Sequence, residues 1–271
     1  MSLAGFDLTG RVAVITGGYG VLGGSMADAL ADAGAKIVIL GRRREEGTRK
    51  ASQLEDRGVE ALMVEADVLD TEQLRRARDE ILNAWKSVDI LVNAAGGNVA
   101  RSRTDTVPVF EVPHDAFDEV LALNLHGTVN PTLVFGEAMS RQKRGVVINI
   151  SSMAASRAMS GVPGYSIAKA GVENFTRWMA MEMARKYGDG IRVNAIAPGF
   201  FITAQNRSVL LNPDGTPTPR AKAVIAQTPM GRFGNSGELA GAVQWLASDA
   251  ASFVTGAVIP VDGGFSIYSG V

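Results

Sequence analysis

Seven short apolar runs, separated by stretches with helical periodicity, constrain this chain more than any other feature. They read VAVI from Val12, KIVIL from Lys36, ALMVEAD from Ala61, DILVNAAG from Asp89, VVINIS from Val146, IRVNAIAP from Ile191 and AVIPVDGG from Ala257. Helical patterns lie between them at 22–33, 45–56, 71–85, 115–141, 164–187 and 236–248, with Gly34 placed to cap the first. Strands that are apolar throughout, rather than alternating, are buried on both faces. Joined by helices, they predict a parallel sheet with helices on either side. Right-handed crossovers wind such a sheet doubly and leave ligands at the carboxyl ends of its strands.

No linker or change of composition interrupts the pattern, so residues 1–271 are expected to form one α/β domain. A turn-rich stretch around 199–227 is its candidate substrate loop or lid. The 271 residues are 46% hydrophobic, enough for a large core. A net charge of -1 argues against a nucleic-acid partner. The absence of cysteine excludes disulfides, thiolate metal sites and thiol nucleophiles. With only His114 and His126, a multi-histidine metal site is not expected either, and neither histidine is assigned a catalytic role. The opening MSLAGFDLTGRVAVIT has neither a basic region nor a long apolar stretch. The expectation is a cytoplasmic chain with no secretory signal and no membrane span.

The first run ends in TGGYGVLGG, residues 16–24. A strand, then glycines, then a helix start can hold a pyrophosphate, because the backbone turns tightly and the helix N-terminus offers free N–H groups. Thr16, Gly17, Gly18, Tyr19, Gly20, Val21, Leu22 and Gly23 are therefore candidate cofactor contacts. Glycine turns also join strands to helices for steric reasons alone, so this one does not assign a ligand. It parses in two frames: G-x-G-x-x-G on Gly18, Gly20 and Gly23, or T-G-x-x-x-G-x-G on Thr16, Gly17 and Gly23, with Val21 in place of the middle glycine.

Further motifs follow in order. Asn93-Ala94-Ala95-Gly96 closes the fourth run and Asn124 falls in the long helix. Ser152 follows VVINIS, and Tyr165 and Lys169 open the next helix. Pro198-Gly199 and Asp262-Gly263-Gly264 end the last two runs. In joint order and spacing, over essentially the whole chain, this set resembles the short-chain dehydrogenase/reductase family, which implies a Rossmann-type doubly wound fold. The family frame of the turn is T-G-x-x-x-G-x-G. TGGYGVLGG, LVNAAGGN, NISSMAA, APGFF, QNR, TPMGRFG and VDGGFSIYSGV are similar to its D-mannonate oxidoreductase (fructuronate reductase) branch, where a G-V-L-G turn is usual. On that reading Gly20 supplies the flexibility that Val21 lacks.

Tyr165 and Lys169 are four apart and share a helix face. A tyrosine with a reference pKa near 10 is a poor proton carrier at neutral pH, and a neighbouring ammonium should bring it down. The resemblance implies that Ser152 holds the substrate oxygen and Tyr165 gives or takes its proton. It also implies that Lys169 binds the nicotinamide ribose, with Tyr165 beside the cofactor, and that Asn124 positions a water. Ser151 is the rival serine, but the thirteen-residue family spacing to Tyr165 favours Ser152, leaving Ser151 as a backbone-bonding neighbour. A cofactor-binding protein without chemistry would be expected to have lost the serine, tyrosine or lysine.

The residue ending the second strand reads the adenosine ribose in this fold. It is Gly41 here, followed by Arg42, Arg43 and Arg44. No carboxylate stands there to repel a 2′-phosphate and guanidinium groups lie next to it, which favours NADP over NAD, the alternative. The same RRREE segment also reads as a solvated helix start. Asp67 and Val68 resemble the adenine contact; Asn93, Ala94, Ala95, Gly96, Pro198, Gly199, Phe201 and Thr203 complete the cofactor set implied by the family. Substrate choice is placed in 97–112 and 199–227, with Asn98, Arg157, Gln205, Asn206 and above all Arg207 as candidates for a sugar-acid carboxylate and hydroxyls. Gluconate 5-dehydrogenase or 3-oxoacyl-carrier-protein reductase activity is the alternative within the class. Relatives pair through the Asn124 and Tyr165 helices, so a homodimer or homotetramer is expected, with the tail FSIYSGV against a neighbour or the site.

Overall fold

A computed structural model of the protein describes residues 4–105 and 107–270. The seven runs form one all-parallel sheet in the order β3-β2-β1-β4-β5-β6-β7. Its strands are β1 (Val12–Thr16), β2 (Lys36–Gly41), β3 (Ala61–Glu65), β4 (Ile90–Asn93), β5 (Gly145–Ile150), β6 (Ile191–Pro198) and β7 (Val258–Val261). Register is continuous, with Ile15 beside Ile39 in β2 and beside Val92 in β4. The doubly wound α/β fold expected from the run pattern is the fold observed.

Alternate residues of each buried strand feed two cores. Ala13 and Ile15 of β1 face one core with Leu30, Leu54 and Leu246 from helices α1 (Val21–Asp32), α2 (Arg44–Glu55) and α9 (Ala240–Ala247). Val12 and Val14 face the other, packed on Ile81, Phe135 and Met183. Those three come from α3 (Thr71–Trp85), α5 (Gly127–Gln142) and α6 (Pro163–Tyr187). Burial on both faces is why none of these strands alternates in polarity. Helix limits follow local chemistry. Asp70 caps α3 by accepting from Glu72 N and Gln73 N at 2.9 and 3.0 Å, and Gly34 takes φ +96° past α1.

Two segments differ from expectation. The helix predicted over 115–141 is α4 (His114–Leu121) and α5 joined by a π-helical turn, Ala122–His126, that contains Asn124. The insertion after β6 carries two short helices, α7 (Arg207–Leu210) and α8 (Pro219–Ala226), which its turn-rich composition concealed. No helix among the described residues is long and apolar enough to cross a membrane. Val271, the last residue of the tail, lies outside the described residues.

Candidate active site

Strand order reverses between β1 and β4, and the crevice at their carboxyl ends is where the sequence motifs meet. Thr16, fully buried, spans this switch point: its Oγ1 accepts from Ala94 N at 3.1 Å and Ala95 N at 3.0 Å. The two post-strand loops are thereby pinned side by side.

The glycine turn fits a pyrophosphate by geometry. Gly17 has φ +64°, and a Cβ at Gly23 would lie 2.4 Å from Gly17 O, so helix α1 passes too close for any side chain there. Gly18 is tight as well, at 3.0 Å from Ile15 O. Gly23 serves both frames; the left-handed φ of Gly17 and the ordinary backbone of Gly20 favour the Thr16, Gly17, Gly23 frame. The flexibility expected of Gly20 is not used. Its φ of -75° and ψ of 171° are open to any residue, and Val21 is an ordinary first helical residue, 42% exposed. Gly20 caps α1 without a side-chain bond, and the first amides of a helix lack intrahelical partners, which leaves donors for an anion.

At the adenosine end, the Tyr19 ring fills the space beside Gly41, where a Cβ would meet its Cε1 and Oη at 2.6 Å. Arg43 lies over that ring, 4.6 Å from its centroid, and also pairs with Glu46 at 3.1 Å. Arg42 reaches Asp67 at 3.5 Å, and Arg44 is committed to Glu65 at 2.7 Å. Val68 is buried, and its carbonyl accepts from Asn130 Nδ2 at 3.2 Å.

Asn124, Ser152, Tyr165 and Lys169 all line one cleft of about 340 Å³, together with Leu22, Ala94, Gly96, Pro198, Gly199, Phe201 and Thr203. Asn124 Oδ1 accepts from Gly97 N at 3.0 Å, while Nδ2 donates to Gly97 O at 2.7 Å and Val120 O at 2.8 Å. Both donors of its amide are thus committed to backbone. The side chain holds the loop after β4 against α4. Gly96 is needed beside it, since a Cβ would lie 2.8 Å from Asn124 Oδ1.

Ser152 lies two residues past β5 in extended backbone, and its hydroxyl faces that of Tyr165. Ser151 instead donates to Glu173 Oε1 at 3.0 Å, a side-chain rather than a backbone partner. Lys169 is buried, donates from Nζ to Ile150 O at 2.7 Å and sits 5.6 Å from the Tyr165 ring centroid. Burial brings its pKa down to about 8. Burial also raises Tyr165 above its ordinary value of 10, partly opposed by the Ser152 hydrogen bond. The lowering expected from Lys169 is therefore outweighed by burial, since that ammonium is turned to the Ile150 carbonyl. A protonated phenol, a hydroxyl partner and a nearby ammonium can donate a proton to a substrate oxygen and stabilise its return.

The structure separates some candidates from the cleft. The Asn93 side chain is buried in a polar chain, donating to Thr132 Oγ1 and Asn149 Oδ1 at 2.8 Å each. It ties β4 to β5 and α5 and does not line the cleft. Arg157 is exposed and donates to Ser266 O at 2.6 Å, and Arg207 is exposed at the start of α7; neither lines the cleft. Asn98, Gln205 and Asn206 do, with Gln205 Nε2 reaching Gly96 O at 3.3 Å and the Asn206 amide bonding Thr203 N and Phe201 O at 2.8 Å. Two unanticipated arginines, Arg103 and Arg220, line it as well. The segments around them carry no motif, and only the folded chain brings them together.

A family model described as enoyl-(acyl carrier protein) reductase matches residues 20–266. The chain is 45% identical over 275 residues to an uncharacterized oxidoreductase, UxuB, of Bacillus subtilis, covering 98% of each. A solved candidate D-mannonate oxidoreductase from Haemophilus influenza with bound NAD is 38% identical, with a TM-score of 0.91 and 98% of each chain covered. A gluconate 5-dehydrogenase from Burkholderia cenocepacia in complex with NADP and tartrate is 34% identical, with a TM-score of 0.89, covering 98% of this chain and 99% of that one. With motif order, sheet topology and whole-chain similarity in agreement, the protein belongs to the short-chain dehydrogenase/reductase family of oxidoreductases.

Proposed function

We propose that the protein interconverts a ketone and a secondary alcohol on a sugar acid, D-fructuronate and D-mannonate, using NADP(H), with NAD(H) as the alternative cofactor. The observation that carries this reading is the convergence of Asn124, Ser152, Tyr165 and Lys169 in one cleft beside the glycine turn. Support for the substrate class comes from similarity to the candidate D-mannonate oxidoreductase and to a gluconate 5-dehydrogenase holding tartrate. A reductase screen of sugar acids, ketoses and acetoacetyl thioesters with each nicotinamide cofactor tests it. The highest kcat/KM should fall on a sugar acid; a thioester in first place would replace this reading with the acyl-carrier one.

When bound, the cofactor supplies the hydride to the carbonyl carbon or takes it from the alcohol. Ser152 donates a hydrogen bond to the substrate oxygen. Tyr165 gives that oxygen its proton in reduction and removes it in oxidation. Lys169, charged below about pH 8, favours the phenolate while the proton is away. Asn124 is a positioning residue that fixes Gly96 and Gly97.

The pH dependence follows from these protonation states. Tyr165 is raised and so protonated at neutral pH, which is the form reduction needs. Reduction should be level near neutrality and fall in alkali, while oxidation should rise with pH as the phenolate forms. Lys169→Met removes an ammonium present only below about pH 8, so oxidation should slow near neutrality while the alkaline inflection set by Tyr165 stays in place. Profiles of kcat/KM in both directions read this, and wild-type oxidation rates near pH 7 in the variant would contradict the role.

For the cofactor, Tyr19 filling the space beside Gly41 and the adjacent Arg42 and Arg43 support NADP(H). Wild-type kcat/KM should favour NADPH. Replacing Arg42 and Arg43 by glutamine should cut that preference by roughly 10-fold or more, the scale of a charge-assisted hydrogen bond. A wild-type preference for NADH would overturn the assignment. We further propose a homodimer or homotetramer through α5 and α6, supported by exposed Leu133, Trp178 (50% exposed) and Met181 on these helices. Sedimentation velocity should give two or four chains; a clean monomer would exclude it. A cytoplasmic location is proposed with this activity.

A further inference from the structure

The cleft has an uneven charge. Among the described residues its charged lining consists of Arg103, Lys169 and Arg220, with no carboxylate. Lys169 lies on the floor, committed to the Ile150 carbonyl. Arg103, from the loop after β4, and Arg220, from the first turn of α8, belong to the two substrate segments.

Both guanidinium groups are held in place from behind. Arg103 Nε donates to Asp105 Oδ1 at 3.0 Å, and its Nη2 reaches Asp105 Oδ2. Arg220 donates to Ser160 Oγ at 3.1 Å and Ser160 O at 2.9 Å. Thr104 N bonds Gly161 O at 3.2 Å, tying the Arg103 loop to the segment that anchors Arg220. Both arginines hold the Asp105 carboxyl below its ordinary range, so they share one local field. Two guanidinium groups against one carboxylate leave a net positive charge in a cleft that also presents the polar Asn98, Gln205 and Asn206 and the apolar Met159, Val162 and Leu210. Both guanidinium groups line the cleft, and a guanidinium fork matches a carboxylate.

We propose that Arg103 and Arg220 bind the carboxylate of the substrate, orienting a polyhydroxylated acid so that its carbonyl or carbinol reaches Ser152 and Tyr165. The proposal rests on the sugar-acid reading above and names the residues that enforce it. Asp105 and Ser160 are positioning residues that hold the two forks.

The test compares D-mannonate, D-mannitol and mannitol 1-phosphate as substrates, with wild type and with Arg103→Met, Arg220→Met and both conservative Arg→Lys variants. Wild type should prefer D-mannonate. Each methionine variant should lower the D-mannonate over D-mannitol selectivity by roughly 10- to 100-fold, mainly through KM, and lysine should recover part of it. Thermal melts of each variant separate this from unfolding. A wild type that prefers D-mannonate, with variants that keep the preference, overturns the arginine assignment and leaves the sugar-acid reading standing. Equal losses on D-mannonate and D-mannitol overturn it too, as a structural role would give. A wild-type preference for D-mannitol or for mannitol 1-phosphate overturns the sugar-acid reading itself.

Discussion

Replacing Tyr165 by phenylalanine is expected to lower kcat by roughly 10²- to 10⁴-fold, the range of general acid–base catalysis, while leaving cofactor affinity largely intact. The substitution keeps the ring against the cleft wall and deletes only the hydroxyl that faces Ser152. Lys169 does not depend on that hydroxyl for its position, since Nζ is anchored on Ile150 O at 2.7 Å. Binding and chemistry should therefore separate: a fluorescence titration with NADPH stays close to wild type while turnover collapses. Substantial remaining activity would remove Tyr165 from the proton-transfer step.

Gly23→Ala is expected to have the opposite signature, losing cofactor affinity and stability together. The new methyl would sit 2.4 Å from Gly17 O and 3.2 Å from Gly18 Cα, so the turn must open or the helix must retreat. Either shift carries the α1 N-terminus away from the position that can bind a pyrophosphate. Gly20→Ala is the control. Its methyl would lie 3.3 Å from Gly17 O in backbone that any residue adopts, so both the melting temperature and cofactor Kd should change far less. Equal damage from the two variants would restore the Gly18, Gly20, Gly23 frame.

That contrast shows where sequence was informative. The fold was legible because strands such as VAVIT and KIVILG are apolar on both faces and alternate with helical stretches, the pattern of a parallel sheet covered on both sides. Tyr165 and Lys169 were legible as a pair because helix geometry fixes i and i+4 on one face. The sense of the Tyr165 shift was not, since it depends on burial and on the Ile150 carbonyl that draws Lys169 away. The positioning duty of Asn124 arises from Gly97, twenty-seven residues away in sequence, and no local pattern encodes it. Arg207 was the preferred carboxylate ligand because it sits in a motif-like QNR, yet a short helix carries it to the surface. Arg103 and Arg220 have no motif around them and come to line one cleft only through the packing of the loop after β4 against the start of α8.

The central claim is that this cleft reduces a sugar-acid ketone, and label transfer tests it most directly. D-fructuronate incubated with NADPH deuterated at the transferable nicotinamide C4 position should give D-mannonate with one deuterium on the new carbinol carbon. Formation of no D-mannonate, or of D-mannonate without deuterium, would contradict the account.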